Sequence, residues 1–149
     1  MYTNCAFTGH RILDSRFDKN LLDRVILNLI KSGARNFYCG MAKGFDMEAA
    51  EIVLNYKKSY PIRLCACIPC EEQSKYFSAK EKRRYEDILC AADEKIVFFP
   101  EYVEGCMQER DRFLVDNCDV LVCYLRKKSG GTYYTVNYAK KQDKKIIDI

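Results

Sequence analysis

The sequence predicts an α/β fold, a Rossmann-like three-layer αβα sandwich with a mainly parallel sheet. Three observations lead there. Short β-rich apolar runs alternate with helical stretches of ten or more residues, the pattern of successive βαβ units covered on both faces. The length of 149 residues suits one domain, spanning 1–149. No linker, internal repeat or low-complexity segment interrupts the alternation.

The elements follow in order. Cys5-Ala6-Phe7 is a short apolar strand. Leu21, Leu22, Val25, Ile26, Leu29 and Ile30 then lie on one face of a helix, with Asp18 as its N-cap and Gly33 at its C-terminal end. Asn36 to Cys39 is the second strand, and Ala49, Ala50, Ile52, Val53 and Tyr56 mark a second helix closed by Pro61. Ile62 to Ile68 is the third strand. A third helix is expected over Glu71 to Ala92, broken around Phe77-Ser78. The strand Lys95 to Phe99, a helix over Gln108 to Asn117, the strand Val120 to Leu125, a helix over Thr132 to Gln142 and the strand Lys145 to Ile149 complete the series.

Composition narrows the function classes. At 48% hydrophobic and 31% charged the chain is an ordinary globular sequence. No apolar run is long enough to span a membrane, and the first residues lack a basic-then-apolar leader, so a soluble cytoplasmic protein is expected. Twenty-five Lys and Arg against 21 Asp and Glu give a net charge of +4, which argues against a nucleic-acid partner. Nine cysteines lie mostly in apolar runs, where a thiol acts as a small hydrophobe; with a single His, neither a disulfide scaffold nor a metal site is expected.

Ligands of open α/β sheets bind beyond the carboxyl ends of the strands. Four segments there carry chemistry. In Thr8-Gly9-His10-Arg11, glycine permits close backbone approach, threonine offers a hydroxyl and Arg11 can pair with a phosphate. Gly40-Met41-Ala42-Lys43-Gly44-Phe45-Asp46 can present backbone amides to an anion, while Asp46 either caps the next helix or reads a ribose hydroxyl. Ser129-Gly130-Gly131-Thr132 is a second anion cradle, Thr132 capping the helix or donating to a phosphate. Met107-Gln108-Glu109-Arg110 supplies Arg110 and Glu109 either as charge partner and acid/base in a cleft or as a surface ion pair. His10, the single His, is a candidate general base, but no orienting partner lies near it in sequence and the commoner reading is a surface His.

Together these motifs resemble the YpsA-like family of the SLOG superfamily, which also holds the DprA and LOG proteins. The resemblance implies a nucleotide or nucleotide-derived small molecule as ligand, names no cofactor beyond it, and is compatible with a homodimer. Thr8, Gly9, Arg11, Gly40, Gly44, Asp46, Gly130, Gly131 and Thr132 are then the lining, Arg11 and Arg110 carry the phosphate charge, and Phe45 or Tyr133 stacks a base. A binding or sensing protein is the leading expectation. The alternative is a LOG-like nucleotide N-glycosidase with Arg110 catalytic. The family's Asp before the next strand falls at Asp119, but Thr135 stands where LOG proteins carry a glutamate, leaving Glu48, Glu71 or Glu72 as substitutes. Two further alternatives are a thiol redox protein built on Cys67-Ile68-Pro69-Cys70 and a single-stranded DNA binder.

Overall fold

Six strands run parallel in one sheet of order β4-β3-β2-β1-β5-β6 in the computed structural model, which describes residues 2–149. They are β1 (Asn4–Gly9), β2 (Asn36–Cys39), β3 (Arg63–Cys70), β4 (Glu94–Phe99), β5 (Val120–Tyr124) and β6 (Lys145–Asp148). Five helices connect them: α1 (Lys19–Lys31), α2 (Phe45–Lys57), α3 (Ala79–Ala91), α4 (Cys106–Asp116) and α5 (Gly130–Lys141). The α/β sandwich expected from the sequence is the observed one.

Period-two alternation sorts the strand side chains onto two faces. Cys5, Phe7, Val120 and Val122 pack with Leu22, Ile26, Ala50, Val53 and Ile88 of α1, α2 and α3. Ala6, Cys65, Cys67, Leu121 and Cys123 pack with Leu114, Val115, Val136 and Ala139 of α4 and α5. Both faces of the central strands are therefore covered, and β5 is buried along its whole length. Only a continuous apolar run tolerates that placement.

Local signals set the helix ends. Asp18 accepts from the backbone amides of Asn20 and Leu21, and Gly33, just past α1, has φ 115°. The third helix differs from expectation. It begins at Ala79, because Ser78 and Glu81 form a capping box, while residues 71–77 run through successive turns such as Lys75 N–H to the Glu72 carbonyl at 2.9 Å. Those turns carry Tyr76 out to the surface.

The redox alternative fails on this geometry. Cys67 and Cys70 both lie within β3, three residues apart and so on opposite faces, and no helix follows directly to lower a thiol pKa. The hydrogen bond with Cys65 and burial push the Cys67 thiol up instead. Among the described residues no helix is long and apolar enough to cross a membrane.

Candidate functional site

Strand order reverses at β1, which has β2 on one side and β5 on the other. Helices leaving the two strands go to opposite faces, so a crevice opens above their carboxyl ends. A cleft of about 360 Å³ lies there, lined by Phe7 to Ile12 from β1 and its loop, Ala42 and Asp46 from the β2–α2 junction, Met107, Arg110, Asp111 and Leu114 from α4, Lys127 from the β5–α5 loop and Ser129 to Thr132 at the start of α5. Thr8, Gly9, Arg11, Asp46, Gly130, Gly131 and Thr132 are thus brought together as the sequence suggested.

Gly40 and Gly44 frame the cleft rather than line it. The Gly40 carbonyl accepts from Arg110 Nη1, and a Cβ on Gly40 would sit 2.8 Å from that nitrogen. Gly44 has φ 83° and ψ −120°, a region comfortable only for glycine, and its Cβ would lie 2.2 Å from the Arg11 carbonyl oxygen. The following amide, of Phe45, donates to the His10 carbonyl at 3.1 Å. The two loops are therefore locked together. Gln73 Nε2 donates to the Gly40 and Met41 carbonyls, each at 3.2 Å, and so holds the β2–α2 loop, where Met41 itself adopts φ 62°.

Arg110 is not a surface ion pair. Only 5% exposed, it gives Nε to Asp111 Oδ1 at 2.7 Å, and Nη1 to Gly40, to Gln73 Oε1 at 3.2 Å and to the Cys67 carbonyl at 3.4 Å. Nη2 has only the Met107 sulfur, at 3.8 Å, and keeps hydrogen-bonding capacity. Asp111, 7% exposed, is a site residue that sequence reasoning missed. Charged residues on helices are normally solvated, and nothing local shows that this pair turns inward.

Asp46 holds the least satisfied position. It is 5% exposed, and its Oδ2 accepts the Ala42 amide at 3.1 Å. Its Oδ1 is the one buried side-chain oxygen or nitrogen without a hydrogen-bond partner among the described residues. Burial raises the carboxyl pKa to about 7, against the opposing pull of Arg110. The capping role expected for Asp46 is corrected: the N-cap of α2 is Gly44, and Asp46 ties the preceding loop. Thr132 likewise does not cap α5, whose N-cap is Ser129. No side chain caps α5 and no acidic residue occupies its first turn, so its opening amides face the cleft mouth with their partial positive charge.

His10 is oriented after all. Its Nε2 accepts the Arg126 amide at 2.8 Å, which leaves the proton on Nδ1. Burial, then Lys127 and Arg126, hold its pKa below the ordinary value and so favour the neutral ring. That partner lies 116 residues away and is invisible to local sequence reading.

Other candidates lie elsewhere. Phe45 is fully buried and stacked on Tyr124, and Tyr133 lines a separate groove on α5, so neither reaches the cleft. Glu109 is outside the lining, Glu48 is bound by Arg84, and Glu72 borders an adjoining groove. Asp119 accepts the Thr3 and Asn4 amides at the opposite end of β1. The carboxylates in the cleft are Asp46 and Asp111.

Comparison with known proteins is consistent with this layout. A family model described as the YspA SLOG family matches residues 13–148. UPF0398 protein BH1768 of Halalkalibacterium halodurans is 31% identical over 128 residues, covering 83% of this chain and 68% of that protein. The uncharacterized SPbeta prophage-derived protein YoqJ of Bacillus subtilis is 32% identical over 137 residues, covering 83% and 80%. Among solved structures, DNA processing protein A from Streptococcus pneumoniae superimposes with a TM-score of 0.73 at 18% identity, covering 99% of this chain and 50% of that one. The same protein from Helicobacter pylori, described for its single-stranded DNA binding mode, gives 0.73 at 19% identity, with 98% and 64% covered. The chain spans half to two-thirds of those two proteins, and at such identities the likeness is one of fold.

Proposed function

The chain belongs to the YspA SLOG family, and from that premise and the chemistry of the cleft we propose that it binds a nucleotide or nucleotide-derived ligand as a sensor or carrier. The observation that carries the reading is the unpartnered Asp46 Oδ1 in a cleft whose opposite wall is the uncapped start of α5. An unsatisfied buried oxygen costs about 1–3 kcal/mol, a penalty that a ligand hydroxyl removes by donating to it. A phosphate fits the amides of Gly130 and Gly131, with Arg11 and Lys127 at the rim. A ribose 5′-phosphate carries both groups.

Native mass spectrometry with a panel of nucleotides, each checked for turnover by chromatography, tests this. Stable binding without turnover, lost in Arg11→Ala and Gly131→Val, is expected. Absence of any binding overturns the reading. Release of free base makes the protein an N-glycosidase instead, with Arg110 and the Asp46 and Asp111 carboxylates as the groups to dissect.

Single-stranded DNA is the second reading. The fold shared with the Helicobacter pylori protein favours it, against the inference from net charge. It requires an affinity for oligonucleotides that falls steeply with added salt.

A further inference from the structure

The cleft continues over a sill of Arg11, Ala42 and Met107 into a second groove of about 440 Å³. The groove's walls include Tyr76 and Phe77, from the turns after β3, and Tyr102, from the loop after β4. Tyr76 is 87% exposed and Tyr102 58% exposed. Large aromatic side chains left this open forgo burial that each would make in a core. The cleft itself offers little to an aromatic ring: Phe7 is sealed in the core, and His10 is held by Arg126.

Both tyrosine loops are tethered to the cleft. The Tyr102 amide donates to Glu72 Oε1 at 2.9 Å, and the neighbouring Gln73 binds the Gly40 and Met41 carbonyls. Tyr76 therefore shares its run of turns with Gln73, which accepts from Arg110 and holds the β2–α2 loop, and the Tyr102 loop is tied to that run through Glu72. We propose that this groove receives the aromatic base of the ligand, stacked on Tyr76 and Tyr102, while the phosphate sits at the start of α5 and the sugar crosses the Arg11–Met107 sill. The inference rests on the nucleotide reading and extends it to a two-compartment site. It also replaces Phe45 and Tyr133 as the stacking residues.

Calorimetric titration with AMP and with ribose 5-phosphate separates the two claims. Tyr76 and Tyr102 are exposed, so Tyr76→Ala and Tyr102→Ala fold normally. Each is expected to weaken AMP binding by about 5- to 150-fold, the range for loss of one base–aromatic stack, and to leave ribose 5-phosphate unchanged. Tyr76→Phe is expected to bind AMP as the wild type does, because stacking needs the ring and not the hydroxyl. AMP binding untouched by both alanine variants but abolished by Gly131→Val would overturn the base subsite and leave the nucleotide reading standing. Equal losses for AMP and ribose 5-phosphate would also overturn it, by placing the tyrosines at the phosphate end. No binding of either compound to the wild type would overturn both.

Discussion

Asp46→Asn is the substitution whose effect follows most directly from the structure. An acid whose pKa is higher in the folded state binds its proton more tightly there, so its contribution to stability falls as pH rises. For Asp46 the window runs from the ordinary 3.8 to about 7. At about 1.4 kcal/mol per pH unit the ionised carboxyl penalises the folded protein by about 4 kcal/mol once the window is crossed. Between about pH 5 and about pH 8, about 2–3 kcal/mol of that develops. Asparagine keeps the shape and the acceptor for the Ala42 amide but cannot ionise. The stability of Asp46→Asn relative to wild type is therefore expected to rise by about 2–3 kcal/mol from the lower pH to the higher. Urea unfolding of both proteins under reducing conditions measures it, and taking the difference cancels the other titrating groups. A difference that stays constant with pH, or grows toward acid, would refute the assignment of Asp46 as a buried, penalised carboxylate.

Gly131→Val is expected to leave the melting temperature within about 2 °C of wild type, since a Cβ there meets nothing nearer than Asp111 Oδ2 at 3.9 Å, while lowering AMP affinity at least about tenfold by filling the α5 mouth. Gly44→Ala is expected to lose about 1–3 kcal/mol from backbone strain alone, before its contact with the Arg11 carbonyl, and to melt at least about 3 °C lower by calorimetry. Arg110→Met leaves the buried Asp111 carboxylate without its ion-pair partner and takes from Asp46 the cation that offsets its burial, and denaturant unfolding should show a loss of about 3–5 kcal/mol.

The sequence carried the architecture because burial on both faces forces β3 and β5 to be continuous apolar runs, and because Asp18 and Gly33 are local punctuation. It misread residues 71–77 as helical. The start signal was present as Ser78-Ala79-Lys80-Glu81, whose first and last residues form the capping box that starts α3 at Ala79 rather than at Glu71. The rim of the cleft was legible too: Gly9 ends β1, and Gly130, Gly131 and Thr132 open the helix that follows β5, where the fold puts ligands. Its interior was not. The burial of Arg110 with Asp111, the orphaned oxygen of Asp46 and the His10–Arg126 bond each depend on partners brought from other elements. Gly40 and Gly44 show a further gap between pattern and role. Their place in a glycine motif suggested contact with a ligand, whereas their lack of side chains makes room for Arg110 and for the Arg11 carbonyl.

The proposed nucleotide site is tested most directly by amide NMR of the uniformly ¹⁵N-labelled protein titrated with AMP. Saturable shifts at Gly9, Ala42, Gly130, Gly131 and Thr132, absent in Gly131→Val, are the expected result. No shifts at millimolar AMP, or shifts centred away from the carboxyl ends of β1 and β5, would contradict it.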